Sequence, residues 1–594
     1  MSFWKTFWAC FLAILFSSLV SFVLSFVVLI SVIFSIAGVV SGLESGSEQI
    51  VKSNSVLTID LSKQIVEELS ENPSDYLDFS TFKFTPPSTL SNTLMALEKA
   101  AIDPKIKGVY IKVPLMMANS STMLYELRCA LEQFKKEAPD KFVVSYGENY
   151  SQGALYLCSV AQEVFVNPMG GVSWMGMSAS STFYTNTLKK LGIEAEIIRY
   201  GKFKGAVEPF MLTKMSSENK EQLQSIIDSN WGYITSQIAE ARGVSTESLN
   251  AVANNLSAFN AEGAKEAGLV DQILYSDQVE EWMEKRVGDE KLKFISLNTY
   301  AMASNSYNVG GDNLVEVIYA SGEIADTGSD GIIGTTMANK IKKARKDDKV
   351  KAIVLRVNSP GGSALASDVI WREVELAAAE KPLVVSMGNY AASGGYWISA
   401  PATKIVASPL TLTGSIGVFG MTFNASKGAE DILGLNFDGV TTNPYADMGS
   451  MVRPLSTLER ARLQENVNTI YGKFLDKVSQ GRGMTTGAVD SIGQGRVWSG
   501  LQALENGLVD KLGTLGCAIE LAAREAGIEN NYRVHTKKSD KNLLMELLSS
   551  SASAMIKAFS PSLMPQDMSK IVETIKQNDR KVQARIPLNI EIEY

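Results

Sequence analysis

Three short stretches of the chain carry groups that could do chemistry together. Ser393 stands in AASGGYW, directly after the apolar run PLVVSMG. Its small neighbours leave room for a substrate backbone, and a helix starting there would offer free N–H groups. The structural reading of the same residue is a helix cap. The run NSPGGSA sets Gly361 and Gly362 just after the strand-like AIVLRV. Glycine there can turn a backbone N–H towards a substrate oxygen. GKFKGAVEPF holds Lys204 and, two residues earlier, Lys202. The two lysines point the same way in a strand and differently in a turn, so spacing alone does not choose between them. A lysine can activate a serine only when neutral. Starting from a reference near 10.4, neutrality at pH 7 means lowering a lysine pKa by about 3 units, about 4 kcal/mol. Burial without a carboxylate partner supplies such a shift. Glu208, in the same stretch, would oppose it if it lay beside Lys204, so it is expected to face away or pair elsewhere.

Other chemistries are thinly represented. The only histidine is His535, in NNYRVHTKK. A Ser-His-Asp triad would require it to fold back against a serine, and HExxH needs two histidines. His535 is therefore expected to be structural or solvent-exposed. There is no GxxxxGK[ST] run, and the four cysteines lack metal-site or disulfide-framework spacing. No metal and no cofactor is expected. The net charge of −8 argues against a nucleic-acid partner. The basic run KIKKARKDDK reads as a solvated helix face.

Two similar halves must position these groups. VVSYGENYSQGALYLCS from Val143 and VVSMGNYAASGGYWISA from Val384 are copies, with Gln152 where the later copy has Ser393. EVFVNPMGGVSWMG matches KIVASPLTLTGSIG, LGIEAEII matches LGLNFDGV, and MSSENKEQLQSIIDSNWGYI matches LSTLERARLQENVNTIYGKF. Strands alternate with helices in both, so each half is expected to be α/β with a mainly parallel sheet. Where the second half has NSPGGSA the first has VPLMMAN. It therefore lacks both hydroxyl and glycine turn. Aligning Pro209 with Pro454 puts Gly449 opposite Lys204. The 594 residues divide into 1–45, 46–305, 306–535 and a polar tail, 536–594, whose final RIPLNIEIEY reads as a strand.

No charge occurs between Lys5 and Glu44, and most of Phe7 to Val40 is apolar. About 20 helical residues span a bilayer core, and the run exceeds the apolar part of a cleavable signal. Cleavage after SIAGVVSG is the alternative. Lys5 before the span puts the N-terminus in the cytoplasm and the rest outside, as a single-pass protein of the cytoplasmic (inner) membrane with its large domains on the periplasmic side.

AASGGYWISAPATKIVASPLTLTGSIGVFG, NSPGGSA and GKFKGAVEPF, in that duplicated setting, resemble the long signal peptide peptidases of the protease IV family. The likeness runs from the anchor to about residue 530. It implies tandem Clp protease/crotonase-like domains with a Ser-Lys dyad split between them. Ser393 would be nucleophile and Lys204 general base, with Ser415 of TGSIG hydrogen-bonding the amine. N–H groups around Gly361, Gly362 and Gly394 would form the oxyanion site. The family implies a membrane-anchored homotetramer acting on cleaved signal peptides and other extended peptides. Gly205 departs from the family's usual serine after the lysine. A crotonase-like acyl-CoA enzyme and a non-catalytic membrane scaffold are the competing readings.

Overall fold

The computed structural model describes residues 51–69, 76–78, 83–84, 86–115, 117, 119–288, 291–302, 311–328, 330–536, 582–585 and 591–593, with Trp8 alone before them. Apart from Trp8, the expected membrane span lies outside these residues. Among the described residues no helix is long and apolar enough to cross a membrane.

The first half contains strands β1 (Ser55–Asp60), β2 (Ile106–Val113), β3 (Phe142–Tyr150), β4 (Glu163–Val172), β5 (Ser178–Ser180), β6 (Glu194–Tyr200), β7 (Gln272–Ile273) and β8 (Lys293–Ser296). Six of them form a wholly parallel sheet in the order β7-β4-β3-β2-β1-β8. The second half contains β9 (Asn313–Ser321), β10 (Ile324–Ala325), β11 (Ile332–Ile333), β12 (Val350–Ser359), β13 (Gly361–Ser363), β14 (Leu383–Ala392), β15 (Lys404–Ala407), β16 (Leu412–Gly414), β17 (Val418–Asn424), β18 (Val497–Ser499), β19 (Lys511–Leu512) and β20 (Tyr532–His535). Its main sheet runs β18-β16-β14-β12-β9-β20, with β15 and β19 continuing from β14. Only β18 is antiparallel.

Alternation along the strands explains the layering, because successive side chains leave opposite faces of a sheet. Val109 and Ile111 face a large central core while Tyr110 between them faces a smaller outer one with Val279 and Met283. In the second sheet Val354 and Val384 join the central core, and Ile353, Leu355 and Val385 pack on the other side with Ile341, Ile370 and Phe474. The central core therefore lies between the two sheets and belongs to both halves. The duplication extends to helix ends. Ser217–Arg242 and Thr457–Arg482 each have 26 residues, a serine N-cap (Ser216, Ser456) and a left-handed glycine C-cap (Gly243, Gly483). KIKKARKDDK overlaps the end of a helix, Gly334–Lys346, whose last turn carries Lys343, Arg345 and Lys346.

The second copy departs from expectation at one element. LGIEAEII forms β6, but LGLNFDGV forms no strand, and Leu435, Phe437 and Val440 are exposed. The reason is pairing: β6 lies antiparallel on β17 through seven residue pairs, from Glu194 with Asn424 to Tyr200 with Val418. Among the described residues no edge is paired with the second copy. At the tail the described residues form two short strands, β21 (Val582–Arg585) and β22 (Glu591–Glu593), the latter within the expected RIPLNIEIEY strand.

Beneath the central core the halves share a buried charge cluster. The Arg356 guanidinium of β12 bonds both oxygens of Glu67 at 2.8 and 3.0 Å and Glu126 at 3.0 Å, with Ser386 Oγ at 2.9 Å. Both Glu126 oxygens also accept from the Leu515 N–H at 3.0 Å. Burial pushes the Glu126 carboxyl up to about 7, against the pull of Arg356. Removing one partner of a buried ion pair strands the other charge, typically at about 3–5 kcal/mol. Arg356→Ala is expected to lose that much stability in urea unfolding at neutral pH. Without Arg356 the Glu126 carboxyl rises above about 7, so the variant takes up its proton before the wild type does, and the loss shrinks as pH falls towards 7 and levels off below it. A loss within experimental error would mean that Arg356 does not couple the halves.

Candidate active site

Ser393 sits where β14 ends and a short helix, Gly394–Ser399, begins. Its backbone is held at φ +55°, ψ −115°. Positive φ is costly for a residue with a Cβ, on the order of 1–3 kcal/mol, and survives only where neighbours enforce it. They do so here: the Ser393 N–H donates to the Gly414 carbonyl at 2.8 Å, and the Trp397 N–H donates to the Ser393 carbonyl at 2.8 Å. Ser415 is also left-handed, at φ +50°.

Lys204 arrives from the first half. β6 ends at Tyr200, opposite Val418. Continuing past that end, the chain reaches Lys204 beside the segment just before β17 that holds Ser415 to Gly417. The Lys204 Nζ lies 2.8 Å from Ser393 Oγ, 3.0 Å from Ser415 Oγ and 3.2 Å from the Ser415 carbonyl. All three side chains are fully buried. Burial alone drives the Lys204 amine well below the ordinary lysine value. Glu208 is buried too, but its oxygens accept from Ser216 Oγ at 2.5 Å and Asn219 Nδ2 at 2.9 Å, with Arg199 at 3.9 Å. It is thus engaged away from the amine. Lys202, the alternative, is exposed, its amine over the Phe203 ring.

The glycine turn lies close by. Gly361 and Gly362 form β13 at φ +106° and +151°, and a Cβ on Gly362 would come within 2.0 Å of the Ile324 carbonyl. The Gly361 N–H donates to Ser359 Oγ at 3.2 Å. Ser359 pairs with Ala391, two residues before Ser393, and a Cβ on Gly395 would lie 2.7 Å from the Ser359 carbonyl. Gly394 opens the helix after the serine. His535 is elsewhere, on the edge strand β20, with Nδ1 2.6 Å from Glu316 Oε2.

Several supporting residues escape a motif search. The Phe203 N–H donates to the Gln494 carbonyl at 3.0 Å and Gln222 Nε2 donates to the Phe203 carbonyl at 3.0 Å, which clamps the lysine turn. A Cβ on Gly495 would lie 2.7 Å from Lys204 Cα, and one on Gly417 would lie 3.2 Å from its Cδ. The available signal was Gly495 itself, where the first half carries Leu256 in a similar left-handed conformation. The close approach of Lys204, rather than φ, calls for glycine. Gly205 has a comparable reason, since a Cβ there would meet Asn219 Oδ1 at 2.8 Å.

In the first half Gln152 fills the corresponding place. Its Oε1 accepts from the N–H groups of Met175 and Gly176 at 3.0 and 2.7 Å, and its Nε2 donates to the Gly176 carbonyl at 3.0 Å. Gly176 is the counterpart of Gly417, whose carbonyl lies 3.5 Å from Ser393 Oγ. The longer side chain thus satisfies the backbone groups of its own loop.

Comparison with known proteins gives the same duplicated pattern. Residues 135–289 and again 375–529 match Peptidase family S49. The chain is 35% identical over 561 residues to "Protease 4" of Salmonella typhi, covering 91% of this chain and 89% of that one. It is 33% identical to "Serine protease SPPA, chloroplastic" of Arabidopsis thaliana, over 82% of this chain and 71% of that one. A solved structure of a ClpP1 mutant from Listeria monocytogenes overlaps 34% of this chain and 94% of its own at TM-score 0.24 and 13% identity, too slight a likeness to bear on the fold.

The 2.8 Å contact of Lys204 Nζ with Ser393 Oγ predicts that Ser393 reactivity depends on a neutral Lys204. Labelling of Ser393 by a fluorophosphonate is expected to accelerate as pH rises through the depressed Lys204 titration and to level off well below 10.5. Lys204→Met should flatten that profile. A rise that levels only near 10.5 would mean a solvated, charged amine.

Proposed function

The chain belongs to peptidase family S49, and on that premise we propose that it is a serine endopeptidase that degrades signal peptides released from secretory precursors, with Ser393 and Lys204 as its catalytic dyad. The reading rests on the 2.8 Å approach of Lys204 Nζ to Ser393 Oγ in a fully buried setting. Neutral Lys204 takes the proton from Ser393 as Oγ attacks a peptide carbonyl carbon. The new ammonium protonates the leaving amine, and the same lysine then activates the water that hydrolyses the acyl-enzyme. Ser415 orients the amine through two bonds that an uncharged nitrogen can keep. Backbone N–H groups around Gly361, Gly362 and Gly394 receive the developing oxyanion.

The remaining features follow the sequence and the family. Residues 1–45 anchor the chain in the cytoplasmic membrane, and the domains at 46–305 and 306–535 work on its outer side as a homotetramer. Each domain is of the Clp protease/crotonase type. Apolar signal peptides begin in the membrane, so an anchored enzyme meets them where they are released. An enclosed site admits extended chains and spares folded proteins.

On a fluorogenic signal-peptide sequence, Ser393→Ala and Lys204→Ala should each lower kcat/KM by about 10³-fold or more, as losses within one catalytic unit do. Lys202→Ala should retain activity. Peptidase activity surviving both of the first two changes would overturn the dyad. Digestion of a tightly folded substrate as fast as an unfolded peptide would overturn the enclosed site.

A further inference from the structure

Lys204 stands at the apex of a turn that a chain of buried amides holds in place. Its backbone lies at φ −73°, ψ +75°, and the Gly205 N–H donates to the Phe203 carbonyl at 2.7 Å, which closes an inverse γ-turn around the lysine. The same Phe203 oxygen accepts from Gln222 Nε2 at 3.0 Å. Gln222 Nε2 also donates to Asn219 Oδ1 at 2.8 Å, and Asn219 Nδ2 donates to Glu208 Oε2 at 2.9 Å. All three side chains are buried. A carboxylate only accepts, so Glu208 turns the NH2 of Asn219 towards itself. Asn219 then offers its oxygen to Gln222, which presents its own NH2 to Asn219 and Phe203. The remaining Gln222 oxygen faces the second half and accepts from the Val497 N–H at 3.2 Å.

Val497 belongs to the segment that holds Ser415. It pairs with Gly414, the residue before that serine. The Ser415 N–H donates to the Arg496 carbonyl and the Gly495 N–H donates to the Ile416 carbonyl, each at 2.7 Å. One amide side chain therefore spans from the residue before the base to the segment carrying the serine that orients its amine.

The second copy builds the equivalent helix without this chain. With Pro209 on Pro454, Glu208 falls opposite Arg453. With the two 26-residue helices superposed, Asn219 falls opposite Glu459 and Gln222 opposite Arg462. Arg453 and Glu459 pair directly at 2.8 Å, so the contact at the helix start is kept as an ion pair. Arg462, by contrast, has a side chain 70% exposed and pairs with Glu465 on its own helix. The buried amide that continues the chain occurs in the copy that has the lysine, and the copy with Gly449 in its place has a surface arginine instead.

We propose that Gln222 is a positioning residue of the Ser-Lys dyad, its amide turned by Asn219 and Glu208 so that it fixes the γ-turn of Lys204 against the segment that carries Ser415. Its effect on turnover rests on the peptidase reading; the hydrogen-bond chain does not. A base displaced by about 1 Å can slow a positioned reaction by about a hundred-fold, so losing Gln222 should act on the chemical step and not on peptide binding.

Turnover per active serine in the full chain tests this. Gln222→Met keeps the length of the side chain and removes every polar contact. Gln222→Glu keeps the acceptor for Val497 and removes the NH2 that holds Phe203. Ser393 is titrated to completion with a fluorophosphonate, and kcat for a fluorogenic signal-peptide sequence is expressed per titrated site. In both variants kcat per site should fall roughly ten- to hundred-fold while KM stays within about two-fold of the original. If Gln222→Met leaves no titratable serine, Gln222→Glu decides alone. A merely structural residue would reduce the number of titratable sites and leave kcat per site unchanged. That result, a loss carried by KM alone, or no titratable serine in either variant would overturn the proposal. Failure of the peptidase reading would register separately, as activity persisting in Ser393→Ala.

Discussion

A seven-residue antiparallel pairing between β6 and β17 carries the candidate site. It stitches a strand of the first half onto the second and fixes where the chain beyond Tyr200 must go. Side chains alternate along a strand, so a slip of one residue would turn every β6 side chain to the other face. Buried neighbours hold the register: Ile198 packs in the second half's core, and Glu196 accepts from the Leu455 N–H and from Arg460. Tyr200 stacks on Tyr471 with ring centroids 4.2 Å apart. From that fixed end, two glycines without side chains, Gly417 and Gly495, let Lys204 reach Ser393.

The chemistry then follows from what surrounds the amine. Its hydrogen-bond partners are two hydroxyls and a carbonyl, all uncharged. Such partners satisfy a neutral amine without compensating the desolvation of a charged one. The nearby carboxylate of Glu208 could have reversed the balance, but Ser216, Asn219 and Arg199 take up its oxygens. The fold thus separates two buried ionisable groups, four residues apart in sequence, and gives each a different set of partners.

Much of this was legible in the residues. The duplicated α/β design was visible because both copies keep the same apolar strands and helix caps, and Ser393 and the Pro-Gly-Gly turn stood out by their absence from the first copy. Spacing alone did not choose between Lys204 and Lys202, and the resemblance favoured Lys204; the turn that buries it is held by Gln222 and Gln494, distant in sequence. LGIEAEII and LGLNFDGV have similar patterns yet differ in structure, since a strand needs a partner as well as a pattern. β21 was hidden for the same reason: it has few residues, and its partners β13 and β17 lie far from it in sequence.

The claim on which the rest turns is that Lys204 is uncharged in the resting protein near neutral pH, and the most direct measurement is its own titration. With ¹³Cε-labelled lysine, the Lys204 resonance can be assigned by its loss in Lys204→Met and followed by NMR across the pH range. The expected midpoint lies well below 10.5, because burial penalises the ammonium and no carboxylate offsets it. A midpoint at or above 10.5 would mean a charged amine beside Ser393, and Lys204 could not then be its base.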